Sequence, residues 1–357
     1  MNQSRVTSRL EEKEKIRKRL KNKKRKQRKM IMQTALSSSI LLVCVCLGIN
    51  AVSQKKKQQE KIEETLKEVQ GIAVAQGWQE MNQTRNQESV QEGQVIMTRD
   101  DLSKGNLVVV NEKYPLREYG ENNLSVIAKN NEGHYQVKSE SMQLNQEALT
   151  ALNEMIGDFN QIQKTSDLII ISGYRNFNEQ EKIHYDTLVS QGQTHTDAYV
   201  AKPDRSEHHT GLAVDFGLYD ANGTSSEYDG TGIYSWINEN CYKYGFVLRY
   251  DEAKKDKTGI SYEPWHFRYV GRVHAQLMYE LNLCLEEYIT YLKSYSYYTN
   301  PGQGITDTAK NYSIYYVSAE NDTTVIPVPT QKSYSISGNN IDGFIVTVQL
   351  DEEEAKS

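Results

Sequence analysis

Hydrophobic and polar positions divide the chain into stretches of different texture. Between residues 30 and 54 no charged residue occurs, and the apolar density peaks from Ile40 to Ile49. About 20 such residues span a bilayer's hydrocarbon core as a helix, so 30–54 is expected to be a transmembrane helix. A cleaved signal peptide is the competing reading, although its positive region would be unusually long and 51–53 is only a fair cleavage site. Residues 55–104 are rich in Lys, Glu, Gln and Asn, with Ile62, Leu66, Val69 and Ile72 at helical spacing. That pattern predicts a helical stalk followed by a polar linker. The texture shifts at 107–110, Leu-Val-Val-Val, where the folded part is expected to begin. Within 105–292 the periodicity predicts a helix over 144–159, a short buried strand at 168–171, a polar helix over 177–191 and a second strand at 213–216. A helix over 235–244 ended by Gly245, a third strand at 265–270 and a closing helix over 273–292 follow. Beyond Pro301, β-type runs at 312–317, 325–328, 334–337 and 344–350 alternate with turn residues, which predicts a small β-rich appendage over 300–350.

Charge sharpens this picture. The net charge is −5, yet residues 1–29 carry 14 Lys or Arg against 3 Glu. A basic arm beside an apolar span is expected to stay cytoplasmic, next to anionic lipid, and to send the C-terminal part outside the cell. This placement argues against nucleic acid as the partner of the arm. Of the four cysteines, Cys44 and Cys46 fall inside the span, while Cys241 and Cys284 lie in the exported part and either pair or remain buried thiols. The 24 tyrosines against 6 phenylalanines suit a half-exposed, β-rich surface, or one that faces glycan.

Candidate chemistry concentrates in three places. The stretch Arg205-Ser-Glu-His-His-Thr-Gly-Leu-Ala-Val-Asp-Phe-Gly217 sets two histidines ahead of an aspartate. A hydrolytic zinc site needs three protein ligands, an open position and a nearby carboxylate; His208, Asp215 and His266 could supply the ligands and Glu263 the carboxylate. Straight strand would hold 208 and 215 roughly 23 Å apart, so the chain must bend between them, and Thr210-Gly211 allows it. Neighbouring histidines in extended chain point opposite ways, so one of His208 and His209 faces the metal; spacing leaves open which. Pro264 interrupts the strand between Glu263 and His266 and would let both reach one site. Ser172-Gly-Tyr-Arg175 follows the strand at 168–171, and an arginine there would stabilise the oxyanion of acyl transfer. Gln180 could reach back over the same cleft.

With these motifs in hand, the chain resembles the VanY-type zinc D,D-carboxypeptidases, which trim peptidoglycan stem peptides. The family pattern Ser-x-His-x-x-Gly-x-Ala-x-Asp stands here as Ser206-Glu-His208-His-Thr-Gly211-Leu-Ala213-Val-Asp215, its Glu-x-x-His element as Glu263-Pro-Trp-His266, and its Ser-Gly-Tyr-Arg element as Ser172 to Arg175. The resemblance covers roughly residues 105–292. It implies an α+β fold, with a small antiparallel sheet and flanking helices around a zinc site; the transmembrane helix and stalk before it and the C-terminal β appendage after it, read from the pattern above, lie outside the family core. It further implies Zn2+ held by His208, Asp215 and His266, Glu263 as general base and acid, Arg175 as carbonyl clamp, and Gln180 and Ser206 on the substrate's carboxylate. An L,D-carboxypeptidase or endopeptidase of the same fold, or an inactive wall-binding protein, are the alternatives.

Overall fold

The computed structural model describes residues 92–117, 123–220, 222–298 and 311–351. The chain divides into two units, Met1–Ser89 and Val90–Ser357; every described residue belongs to the second. The basic arm, the 30–54 span and most of the 55–104 stalk lie outside the described residues. Among the described residues no helix is long and apolar enough to cross a membrane.

Thirteen strands and seven α-helices occur in chain order among the described residues. The strands are β1 (Glu92–Thr98), β2 (Leu124–Val126), β3 (Gln136–Val137), β4 (Gln143–Asn145), β5 (Leu168–Ser172), β6 (Ala213–Tyr219), β7 (Ser225–Glu227), β8 (Phe246–Leu248), β9 (His266–Tyr269), β10 (Tyr312–Ser318), β11 (Thr323–Pro329), β12 (Tyr334–Gly338) and β13 (Gly343–Gln349). The helices are α1 (Gln146–Gln163), α2 (Phe177–Gln191), α3 (Gln193–Tyr199), α4 (Ser235–Asn240), α5 (Lys255–Thr258), α6 (Arg272–Leu281) and α7 (Leu285–Leu292).

The central sheet runs β3-β5-β6-β9-β8, with β7 also on β6. It is antiparallel except for the short parallel pair β3–β5. Helix α1 starts at Asn145, whose side chain accepts from the Glu147 and Ala148 amides and so satisfies donors that the first helical turn leaves free. It buries Ala148, Leu152, Met155, Ile156 and Phe159 on one stripe against Ile170, Val214, Phe216 and Phe267 of the sheet. This is the apolar face that the 3.6-residue period demands, and it covers one side of β6. The opposite side of β6 is thereby left for chemistry.

The closing helix expected over 273–292 is two helices. Asn282 adopts a left-handed conformation (φ 52°) at the end of α6, and Cys284 caps the start of α7; an asparagine tolerates that conformation better than most residues. Cys241 and Cys284 are both buried free thiols.

A larger departure concerns the linker. Residues 92–98 form β1 and pair antiparallel with β11, Ile96 opposite Val325. Val95 and Met97 pack with Val317, Ile326, Phe344 and Val348, so the polar linker predicted up to 104 is ordered β-structure in its last part. The segment reads as linker because Gln94 and Thr98 face outward and the inward face offers only Val95 and Met97, while Ile96 is itself 68% exposed. Nor do the C-terminal strands stand apart: Ile314 and Ile345 pack in one cluster with Leu107, Val109, Leu277, Met278, Leu285 and Tyr288. His274 adds a polar stitch to this seam. Its Nδ1 lies 2.8 Å from the Tyr288 hydroxyl and its Nε2 2.9 Å from Thr347 Oγ1.

Burial pushes the His274 imidazole down from 6.5 to about 4. Between those values the unfolded chain binds a proton that the folded chain refuses, so His274 contributes a loss of stability as pH falls from 6.5 towards 4, with a slope approaching about 1.4 kcal/mol per pH unit within the window. Denaturant unfolding of wild type and His274→Gln at pH 7 and pH 4.5 should show the stability gap between them narrowing at the acid value. A constant gap would assign the acid sensitivity elsewhere.

Candidate active site

Three segments converge on the uncovered side of β6. The first is the end of β5, where a register shift between Ile170 and Ser172 turns the chain out of the sheet into Gly173-Tyr174-Arg175. The second is the 3-10 turn Glu207–Thr210, ended by Gly211 at φ 69°. A side chain at Gly211 would strain the backbone and would meet Leu124 Cδ2 at 2.7 Å. That bend brings His208 back over Asp215, as the motif spacing required. The third is the turn Glu263-Pro-Trp-His266, closed by a His266 N–H to Glu263 carbonyl bond of 3.2 Å. An i to i+3 turn places Glu263 and His266 on one side, which a regular strand would forbid. His266 then enters β9 directly opposite Asp215 on β6.

His208, Asp215 and His266 are buried, and their potential donor atoms all lie within 4.8 Å of one another. Asp215 Oδ1 is 2.8 Å from His266 Nδ1, and its Oδ2 is 3.2 Å from His208 Nε2. Donors around one tetrahedral zinc at about 2.0–2.2 Å sit roughly 3.3–3.5 Å apart; the two carboxylate–imidazole contacts are a little shorter than that and would open slightly around an ion. His208 Nδ1 is 2.7 Å from the Gly173 carbonyl. A carbonyl only accepts, so that nitrogen carries the proton and Nε2 offers its lone pair to the site. Burial and the Arg175 charge push the His208 imidazole down to about 4, keeping it neutral as a metal ligand must be. Burial alone would raise the Asp215 carboxyl, yet the neighbouring histidines hold it well below its ordinary range. Two imidazoles and one carboxylate are a donor set suited to zinc with a position left open.

Arg175 reaches the same centre. Its Nη2 lies 3.5 Å from Asp215 Oδ2, and its Nη1 donates to Gln180 Oε1 at 2.7 Å. Gln180 in turn donates to the Ala201 carbonyl at 2.6 Å. Gln180 thereby braces Arg175, with its oxygen on the guanidinium and one amide N–H on Ala201. Ser206 lines the cleft with Arg175, Gln180, Glu263 and Trp265, in a space of about 270 Å³ walled on one side by Ile183, Thr187 and Tyr199 from α2 and α3. A larger cavity of about 430 Å³ lies beside Arg272 and β12, but no such ligand set faces it.

His209 settles the question that spacing left open. Its Nδ1 is bound to the Arg175 carbonyl at 2.6 Å, and its Nε2 accepts from the Asp204 amide at 3.2 Å. It points away from the donor cluster and clamps the loop that carries Arg175.

Glu263 is buried at 6% exposure. Burial pushes its carboxyl up to about 8; Asp215 adds to the rise, while His266 and Arg175 pull against it. A carboxyl poised near neutrality beside a ligand cluster suits a group that both takes and returns a proton. A divalent cation in the cluster would draw this value down towards the ionised base.

Several residues escaped the sequence reading. Glu207, wholly buried, accepts at Oε1 from Arg249 Nε (2.8 Å) and Arg268 Nη1 (2.9 Å). Arg249 forks onto Glu286 of α7 at 2.9 and 2.6 Å. Arg268 donates to the carbonyls of Asn106 and Val108. Burial would raise the Glu207 carboxyl, but the two arginines hold it far below its ordinary value. Tyr250 stacks on His266, ring centroids 4.8 Å apart. One sign of this network was available: Arg268 stands two residues after His266 in a strand, hence on the same face, where a charge needs a partner.

Known proteins resemble this chain over the same region. The family model described as "VanY: D-alanyl-D-alanine carboxypeptidase" matches residues 141–272. A D-alanyl-D-alanine carboxypeptidase from Enterococcus faecium is 35% identical over 317 residues, covering 87% of this chain and 94% of that relative. The bifunctional D-Ala-D-Ala dipeptidase and D-Ala-D-Ala carboxypeptidase VanXYC of Enterococcus gallinarum is 40% identical over 129 residues, 35% of this chain and 68% of its own length. Among solved structures, the vancomycin-resistance D,D-dipeptidase VanXYg, in complex with a D-Ala-D-Ala phosphinate analogue, superposes with a TM-score of 0.62 at 33% identity, covering 72% of this chain and 99% of that one.

The two histidines predict opposite outcomes. His208→Ala should weaken zinc binding by more than the roughly 10- to 100-fold typical of losing an outer partner. His209→Ala should keep zinc and lose about 1–3 kcal/mol of stability with its buried hydrogen bonds. Competition against a chelating dye, run beside thermal unfolding, reads both; equal loss of zinc in the two variants would refute the assignment.

Proposed function

Because the chain belongs to the VanY-type D-alanyl-D-alanine carboxypeptidase family, we propose that it is a zinc-dependent D,D-carboxypeptidase that removes the C-terminal D-alanine from peptidoglycan stem peptides. The observation that carries the reading is the convergence of His208, Asp215, His266 and Glu263 in one cleft, in a chain aligned with a D-alanyl-D-alanine carboxypeptidase along nearly its whole length. The crystallised relative bound to a D-Ala-D-Ala phosphinate analogue supports the same substrate class.

In this reading His208, Asp215 and His266 hold zinc, which supplies the Lewis acidity that ionises water near pH 7 and polarises a carbonyl. Glu263 takes the proton of the attacking water and passes it to the leaving amine. Arg175 directs its guanidinium at the carbonyl oxygen as negative charge builds there. Gln180 keeps Arg175 in place through their 2.7 Å bond. Ser206, buried in the lining of the same cleft, binds the terminal carboxylate. The side chains of His208, Asp215, Glu263 and His266 are buried, so charges there act at higher strength than they would in solvent.

The charge-free run at 30–54 and the basic arm ahead of it support a single-pass anchor, with the catalytic unit outside the cell and the arm against anionic lipid.

Zinc-loaded protein should release D-alanine from a pentapeptide stem ending in D-Ala-D-Ala and leave a tetrapeptide stem intact. Glu263→Gln should retain zinc and lose turnover by about 10²- to 10⁴-fold. Parental turnover in that variant would exclude Glu263 as the base, and preferential cleavage of the tetrapeptide would turn the assignment to an L,D-carboxypeptidase.

A further inference from the structure

A metal-binding imidazole must present a lone pair at one ring nitrogen, and what the other nitrogen touches decides which one does so. The two histidines of the cluster meet this need in opposite senses. His208 has its Nδ1 on the Gly173 carbonyl and turns Nε2 inward. His266 has its ring reversed, with Nδ1 on Asp215 at 2.8 Å and Nε2 facing away from the cluster. The atom opposite that outer nitrogen is Glu207 Oε2, 3.5 Å distant. Neither of these two buried atoms has a hydrogen-bond partner elsewhere.

The arrangement around Glu207 is lopsided. A carboxylate serving only to neutralise two buried arginines would share its oxygens between them, as the forked Arg249–Glu286 pair does. Here both Arg249 and Arg268 crowd onto Oε1, and Oε2 is left aimed at the imidazole. The arginines are themselves fixed from outside, Arg249 by Glu286 on α7 and Arg268 by the carbonyls of Asn106 and Val108. On the other side Tyr250 stacks on the His266 ring and limits its rotation.

We infer that Glu207 is the positioning residue for His266: its free carboxylate oxygen accepts a hydrogen bond from the Nε2–H, so that Nδ1 presents its lone pair to the metal, and the Arg249–Glu286 and Arg268 contacts hold Glu207 in that aim. The inference rests on the reading of His208, Asp215 and His266 as one metal site. It explains why a charged network lies buried beside that site, where apolar packing of the same volume is often no less stable.

The test uses the full chain and zinc alone. Wild type should bind zinc, and Glu207→Gln should bind it about 10- to 100-fold more weakly, because an amide nitrogen turned towards Nε2 donates where an acceptor is required. His274→Gln removes a buried polar residue outside this network, bonded to Tyr288 and Thr347, and should leave zinc affinity within about threefold while lowering the melting temperature. Equal weakening in both variants, or none in Glu207→Gln, would overturn the inference, whereas a wild type that binds no zinc would instead overturn the metal site itself. Should Glu207→Gln fail to fold, a crystal structure of the zinc-loaded wild type decides: coordination through His266 Nδ1 with Nε2 on Glu207 supports the inference, and coordination through Nε2 refutes it.

Discussion

Asp215 and His266 stand opposite each other on neighbouring strands, their side chains 2.8 Å apart on the one side of β6 that α1 does not cover. Strand pairing sets that distance before any side-chain contact is made. His208 is then delivered by a bend at Gly211 and Glu263 by a turn at Pro264, each a local backbone device acting against a fixed pair. The order matters physically: regular structure positions the pair, and irregular structure brings the remaining groups to it. Loops held by a rigid sheet place groups more accurately than loops alone.

Around the cluster the structure adds a second ring of contacts that hold rather than react. Gly173 fixes His208, Gln180 fixes Arg175, and His209 ties down the carbonyl of the same arginine. Each of these is a buried polar group whose partner is a residue of the site. A buried hydrogen bond is worth little net when made and costs more when left unmade, so such contacts act chiefly by excluding other geometries. The adjacent histidines at 208 and 209 illustrate the division of labour, one facing the cluster and the other facing the chain that frames it.

The sequence showed the site more fully than its supports. Short motifs with fixed spacing identified His208, Asp215, Glu263, His266 and Arg175, because a bend at glycine and a turn at proline can be read from neighbouring residues. Helices α1 and α2 and strands β5, β6 and β9 followed from periodicity. Contacts between distant segments were not legible. Glu207 meets Arg249 and Arg268 only after three segments have packed, and nothing in local pattern announces it beyond an arginine on a buried strand face. The brace that Gln180 gives Arg175 was likewise not legible, since its contact with the Ala201 carbonyl depends on the turn after α3. The break at Asn282 was missed because both halves of 273–292 carry the same apolar period, and one left-handed residue interrupts it. Strand β1 reads as linker because its apolar run is only Val95 to Met97, set in a polar stretch.

That strand has a consequence for how the domain is assembled. Ile96 faces Val325 across the β1–β11 ladder, so the first described strand is paired with one far along the chain. Pairings between such distant positions form late, after the intervening chain has been gathered in. Until β11 emerges, β1 presents an unsatisfied edge that another chain could pair with. A polypeptide lacking either strand would keep every residue of the candidate site and leave the edge of the other strand permanently unpaired, so its solubility, rather than its chemistry, would be the first property to fail.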